Sequence, residues 1–358
     1  MLFSKAEMEI LRLCARCKEL PRRKSENLPA EIVSSLLEAK LMRATRNKLS
    51  YRLTPAAYEV LQKAGFAYTQ DASYRTDESI IARRLRGAEI ALFFQRYGVD
   101  VFAQTPPAKK QGRIYLAAYA LRQEPQKLLW YTQMKGFYYT GDYVFIPYYV
   151  VPDNKGIYTN NEQREFMSRD ILVGRKPFVI FTGNGVLEEI VDGIMTPKER
   201  SQKQTYDTFA EAFDLFGCPT AVIPLDENGM RTLEVLQIPN YRQKLVQALL
   251  GDNYAPPINE SFDALNKQTG QNYVLGFDCN IPRLQRAYRQ SIDNQVCIVC
   301  FGYQKDVIEK YCWADVRTCE LSEVERVFRL PRISDRRSNE PFKAKGGKYI
   351  DVPPKKLL

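Results

Sequence analysis

The chain has 358 residues, 45 % of them hydrophobic and 26 % charged, and a formal net charge of +10. This is the make-up of a globular protein with room for two domains. No window holds the roughly 18 uninterrupted apolar residues of a membrane span, and the opening Met1–Glu7 carries charge where a signal peptide needs its apolar core, so a cytoplasmic location and no membrane partner are expected.

In chain order, the segment from Ser4 to Leu20 places Met8, Leu11, Cys14, Ala15 and Lys18 at helical spacing. A proline-led run with three consecutive cations, Arg22, Arg23 and Lys24, follows. A second helix is expected to start near Pro29, with Ile32, Val33, Leu36 and Leu37 on one face. Next, "RATRNKLSYRL" reads as a short hairpin, Arg46-Asn47-Lys48 near its tip and Leu49, Tyr51 and Leu53 alternating on the returning strand. A third helix opens with Thr54 as N-cap and Pro55 in the first helical position, and stops at Gly65.

Beyond a polar connector at 67–76, residues 77–97 read as a long helix with Ile80, Ile81, Leu85, Ala88, Ala91, Leu92 and Phe94 inward and Gly98 as its stop. "IYLAAYAL" is a strand, and "GFYYTGDYVFIPYYV" a hairpin turned at Thr140-Gly141 whose aromatics suit packing against a sheet. From about residue 160, short apolar strands ("KPFVIFTG", "CPTAVIPL", "QNYVLGFDC", "QVCIVCFGY") alternate with helices. One of these helices is expected between Thr196 as cap and Gly217 as stop. The alternation predicts an α/β fold, with domains at 1–70 and 77–328 and a basic, mobile tail at 329–358. No internal repeat is visible.

Candidate chemistry is sparse. The chain lacks histidine, which excludes Ser-His-Asp and Cys-His catalysis and zinc sites that need imidazole. Cys14/Cys17 and Cys297/Cys300 have CxxC spacing, but the second pair lies in a strand, where positions three apart face opposite ways, so core packing is the expected role. Gly183-Asn184-Gly185 lacks the rest of a dinucleotide or P-loop motif and reads as a tight turn. Asp142, Asp226 and Asp278 sit near strand ends, without the acid-x-lysine strand that a metal-dependent nuclease needs alongside them. No catalytic residue, metal ligand or cofactor is assigned.

Charge is more informative. Residues 1–76 carry 14 Lys+Arg against 8 Asp+Glu, residues 329–358 carry 9 against 3, and the intervening body is close to neutral. Basic ends on a neutral body suit a polyanionic partner. Arg22, Arg23 and Lys24 before the second helix, and Arg43, Arg46, Lys48 and Arg52 in the hairpin, are the candidate contacts to double-stranded DNA, chiefly through phosphate. Glu31, Ser34, Ser35 and Glu38, on the face of the second helix that would read bases, are poor major-groove readers.

The run "LLEAKLM…YRLTPAAYEVLQKAGF" resembles the end of bacterial winged-helix regulators, although "PRRKSEN" leaves little room for the short helix that the family places before its recognition helix. The overall order is similar to replication-relaxation proteins of bacterial plasmids and conjugative elements, which join a winged helix to a nuclease-like α/β domain. That resemblance implies an accessory DNA-associated role in replication, transfer or transcription. The alternatives are a metal-dependent nuclease with a divergent motif, and a module that dimerises or docks a protein.

Overall fold

The computed structural model describes residues 2–22, 27–45, 48–68, 77–108, 112–121, 129, 132–151, 156–167, 169–196, 207–291, 295–330, 332–344 and 349–350. The chain forms two compact units, one of Met1–Ala103 with Ser334–Leu358, the other of Gln104–Ile333.

The first unit contains α1 (Lys5–Cys17), β1 (Leu20–Pro21), α2 (Ala30–Glu38), β2 (Met42–Ala44), β3 (Ser50–Leu53), α3 (Pro55–Lys63) and α4 (Glu78–Arg96). Its described strands make an antiparallel sheet in the order β1-β3-β2, with Met42 opposite Leu53 and Leu20 opposite Tyr51. The hairpin and the capped third helix lie where the sequence places them. Pro55 occupies the first turn of α3 and Gly65 adopts φ +85° after its end. The Thr54 hydroxyl donates to the Lys40 carbonyl instead of capping α3. The C-terminal half of α4 is buried on all sides, so α4 is the central helix of this unit.

The two units divide after Ala103, and the described part of the C-terminal segment returns to the first unit. Helix α4 belongs to the first unit, and the described part of 334–350 packs on that unit as well. The physical reason lies at the start of α1, where the first backbone N–H groups of a helix have no intrahelical acceptor. Ser4 and Glu7 form a capping box that satisfies the Glu7 amide. The Lys5 and Ala6 amides donate instead to the carbonyls of Glu340 (2.7 Å) and Ser338 (2.9 Å), and Phe342 N–H donates back to Phe3. A polar tail with few apolar groups is therefore held by backbone hydrogen bonds, which composition does not reveal.

The second unit contains β4 (Ile114–Ala117), α5 (Ala118–Leu121), β5 (Gly136–Tyr139), β6 (Tyr143–Tyr149), α6 (Thr159–Phe166), α7 (Arg169–Leu172), β7 (Lys176–Thr182), α8 (Leu187–Met195), α9 (Phe209–Leu215) and β8 (Thr220–Val222). It continues with α10 (Glu227–Leu236), α11 (Tyr241–Leu250), β9 (Tyr254–Ala255), β10 (Ala264–Asn266), β11 (Asn272–Leu275), α12 (Ile281–Gln290), β12 (Val296–Phe301), α13 (Lys305–Tyr311), β13 (Asp315–Cys319) and α14 (Leu321–Phe328). Among the described residues there are two five-stranded sheets, β4-β5-β6-β7-β8 and β13-β12-β11-β10-β9. The α/β class read from the sequence is the observed one.

The two sheets share one connectivity, the repeat that the sequence conceals. In each, three strands form an antiparallel meander and two more add in parallel through helical crossovers. The equivalent crossover helices α8 and α13 face each other: the Lys310 ammonium lies 2.8 Å from Glu188 and 2.9 Å from Asp192, and the Tyr311 hydroxyl donates to Asp192 at 2.6 Å. Val222 N–H donates to the Asp278 carbonyl at 2.9 Å, linking the edge of the first sheet to the end of β11. A single apolar core runs through both halves, from Phe137, Ile146 and Phe181 to Val274, Ile298 and Cys300.

One expected element is displaced. Thr196 ends α8 rather than opening a helix; 197–206 lie outside the described residues, and α9 starts at the Thr208/Glu211 capping box before stopping at Gly217. A Thr three residues ahead of a Glu satisfies two amide donors at once, a stronger start signal than Thr196-Pro197.

Removing 334–358 is expected to abolish the hydrogen-exchange protection of the Lys5 and Ala6 amides while leaving β7 and β12 protected. Unchanged protection at those two amides would show that the tail does not cap α1.

Candidate nucleic-acid interface

The division into units sharpens the charge argument. The first unit carries 25 Lys+Arg against 15 Asp+Glu, and the second carries 27 of each. The whole net charge of +10 therefore belongs to the first unit, because the basic tail returns to it.

Within that unit a single buried acid organises the arginines. Glu19, between α1 and β1, has no solvent exposure. Its carboxylate accepts the Ser50 hydroxyl at 2.9 Å and faces Arg52 at 3.6 Å and Arg84 at 3.8 Å. A buried carboxylate is tolerated only with such partners. One negative charge here faces two guanidiniums, and Arg43 lies directly opposite Arg52 in the β2–β3 register. Like charges opposed across a ladder repel, and the Glu19 carboxylate beside Arg52 offsets that repulsion from the interior.

The candidate residues thus take different places. Arg43 and Lys48 are exposed, and Lys48 sits in the hairpin turn at φ +56°. Arg22 is exposed at the end of β1, where its N–H donates to Leu49 beside that turn at 3.0 Å. None of the three has an ion-pair partner among the described residues. Arg52 is largely covered, with its guanidinium 3.6 Å from the Glu19 carboxylate. Arg23, Lys24 and Arg46 lie outside the described residues.

Sequence reasoning missed the contribution of α4. This helix packs against β1, with Arg84 reaching Glu19, while Arg83 is exposed and Arg86 half-buried one turn on. The signal was the run "ARRLRG", in which Arg83 and Arg86 share a helical face and Arg84 does not. Conversely, the exposed face of α2 carries Glu31, Ser34 and Glu38, and Ser35 is turned inward to donate to Glu7 at 2.6 Å. Ser35 is therefore part of the packing between α1 and α2, not a reader of bases.

The second unit spends its charged groups on its own interior. Asp278, fully buried at the end of β11, is held by Arg242 at 2.5 Å and Arg283 at 3.2 Å, which keep its carboxyl below the usual range despite burial. Asp226 caps α10 by accepting the Gly229 amide at 3.0 Å, and Asp142 is exposed in the β5–β6 turn. The three strand-end acids do not converge, and no group of three acids or cysteines among the described residues is arranged to hold a metal. In the Gly183-Asn184-Gly185 turn, the Glu189 side chain lies against Gly185 and Glu188 also occupies the first turn of α8, placing negative charge where a phosphate would sit. A small cavity of about 160 Å3 beside the ends of β12 and β13 is below the usual size of ligand sites. The CxxC cysteines are buried, and burial pushes the Cys297 and Cys300 thiols up to about 12; they behave as core residues.

Among the described residues of this unit, Glu162 is the interior carboxylic acid with a raised affinity for protons. It lies on α6, accepts the Gln133 amide and, at 2.9 Å, the Tyr148 hydroxyl, and burial lifts its carboxyl from 4.5 to about 7. No helix among the described residues is long and apolar enough to cross a membrane. No protein-family model matches the chain, and neither a curated protein nor a solved structure matches it.

Two outcomes follow from these carboxylates. Glu19→Gln is expected to destabilise the first unit by about 2–4 kcal/mol, read as a lowered denaturant midpoint; an unchanged midpoint would remove Glu19 from its organising role. Because the folded state binds the Glu162 proton more tightly than the unfolded chain, stability is highest below pH 4.5 for this group and declines as pH rises to about 7, by about 3 kcal/mol. Glu162→Gln should flatten that part of the stability–pH profile.

Proposed function

We propose that the protein is a DNA-associated accessory factor of the cytoplasm, with a winged-helix-like first unit that binds duplex DNA through phosphate contacts and a second unit that serves as a scaffold. The observation that carries this reading is the location of the entire net charge of +10 on the first unit. Arg22, Arg43, Lys48 and Arg83 are among its exposed cations, and Arg43 stands opposite Arg52 in the β2–β3 register.

The hairpin and the α4 arginines are the contact elements. An acidic α2 is repelled by phosphate, so docking of α2 in the major groove is disfavoured and the binding is weakly selective for sequence. Such a mode suits recruitment or bridging in replication, transfer or transcription, the roles implied by the resemblance to replication-relaxation proteins. It needs no cofactor.

Binding of the full chain to a 5′-hydroxyl duplex, followed across salt concentrations, tests the reading. Arg43→Glu combined with Lys48→Glu should weaken binding at low salt by at least about tenfold and reduce the salt slope by about two. If wild-type protein fails to shift the duplex, or the double variant binds with the same slope, the hairpin is not the interface.

A further inference from the structure

The first unit also contains a cleft of about 460 Å3, within the range of small-ligand sites. One wall is a face of α1, with Lys5, Glu9 and Arg12 at helical spacing. The other is the returning C-terminal segment, with Glu340, Phe342, Lys343 and Tyr349.

Arg12 is the unusual member. Its guanidinium lies between two rings, 4.0 Å from the centroid of Phe66 and 3.7 Å from that of Phe102. Stacking on both faces fixes the plane of the group and leaves only its N–H edge for recognition. No protein group accepts from that edge among the described residues, and the Nε atom is buried without a hydrogen-bond partner. An immobilised, unneutralised guanidinium with unspent donors is a receptor for a planar pair of oxyanion oxygens.

The rest of the cleft narrows the class of ligand. Lys343 has no acidic partner among the described residues and lies 5.4 Å over the Tyr349 ring, which is half exposed. Lys5 is taken by Glu340 at 2.5 Å, so the acid at that rim is neutralised. Glu9 accepts the Gln95 amide at 2.6 Å and keeps acceptor capacity for a hydroxyl or amino group. Two free cations, an exposed aromatic face and one spare acceptor match a phosphate, a base and a sugar or exocyclic donor.

We propose that this cleft binds one nucleoside phosphate unit, its phosphate held by Arg12 and Lys343 and its base stacked on Tyr349. The unit comes either from a free mononucleotide or from the 5′-phosphorylated end of a strand. The site is separate from the hairpin, so its existence does not depend on duplex binding there.

Calorimetric titration of the full chain decides the matter, using adenosine 5′-monophosphate, adenosine, and a short single strand with and without a 5′-phosphate. Phosphorylated ligands should bind at least about tenfold more tightly than their dephosphorylated forms. Arg12→Lys, which keeps the charge but loses the fork, should remove that difference. Lys343→Gln, at the rim, should reduce it in a protein whose fold is undisturbed, and Tyr349→Ala should weaken all ligands. Binding of the mononucleotide identifies a free nucleotide as sufficient; binding of the phosphorylated strand alone identifies a strand end. The proposal is overturned if neither phosphorylated ligand binds, or if Arg12→Lys and Lys343→Gln both bind as the parent does. Arg43→Glu with Lys48→Glu should leave this binding unchanged, which separates failure of the cleft from failure of the hairpin interface.

Discussion

A carboxylate without access to water has to be answered by cations, and the first unit is built round that requirement at Glu19. The acid lies between α1 and β1, and its partners come from β3 (Ser50 and Arg52) and α4 (Arg84). Three segments separated in sequence are drawn to one atom group. The same attraction decides which arginines remain free. Arg52 and Arg84 are tied to the interior, whereas Arg43 across the ladder and Arg83 beside it face solvent. Internal pairing and external surplus thus have one origin, because a single negative charge is set among several positive ones.

The second unit follows the opposite plan. Arg113 pairs with Glu234, Arg231 with Glu325, and Arg242 and Arg283 with Asp278 and Asp263. Arg175, which lacks an acid at hydrogen-bond range, has its guanidinium spread over the carbonyls of Thr140, Pro107 and Ala108. Its acids and bases are equal in number, and the pairs Arg113–Glu234, Arg286–Asp214 and Lys310–Glu188/Asp192 join the two halves of the same connectivity. A scaffold and a contact surface, each with its own charge balance, are the natural reading of this contrast.

Legibility in the sequence followed the range of the interaction. The hairpin, α3 and the strand–helix alternation were visible because turn residues, caps and apolar spacing act over a few positions. The role of Arg52 was not, since its partner Glu19 lies 33 positions away and nothing local marks it. The docking of residues 338–342 was illegible for the same reason: Lys5 and Ala6 are capped by carbonyls more than 330 residues later, through backbone atoms that carry no sequence signal. The duplicated sheets escaped notice because meanders and crossovers depend on apolar runs of roughly correct length, which many different side chains satisfy. Of the candidate site, the hairpin cations were legible, whereas the arginines of α4 drew no notice because only the helix's apolar spacing was read.

The return of the C-terminal segment has a consequence for function as well as for stability. Capping α1 with Ser338 and Glu340 carries Phe342, Lys343 and Tyr349 to the face of α1 that presents Arg12. Without that segment Arg12 would be an ordinary surface arginine flanked by two rings; with it, the guanidinium edge opens into a half-open cleft with cationic and aromatic walls. Buried donors left without acceptors are costly in a folded chain, and here the cost falls on a residue whose plane is already fixed by Phe66 and Phe102. A phosphate would accept from the terminal nitrogens of this guanidinium without further ordering of the side chain, so most of the entropy of organising the receptor is spent on folding rather than on binding. The start of α1 and residues 338–342 therefore meet for a structural reason, and the cleft is what their meeting creates.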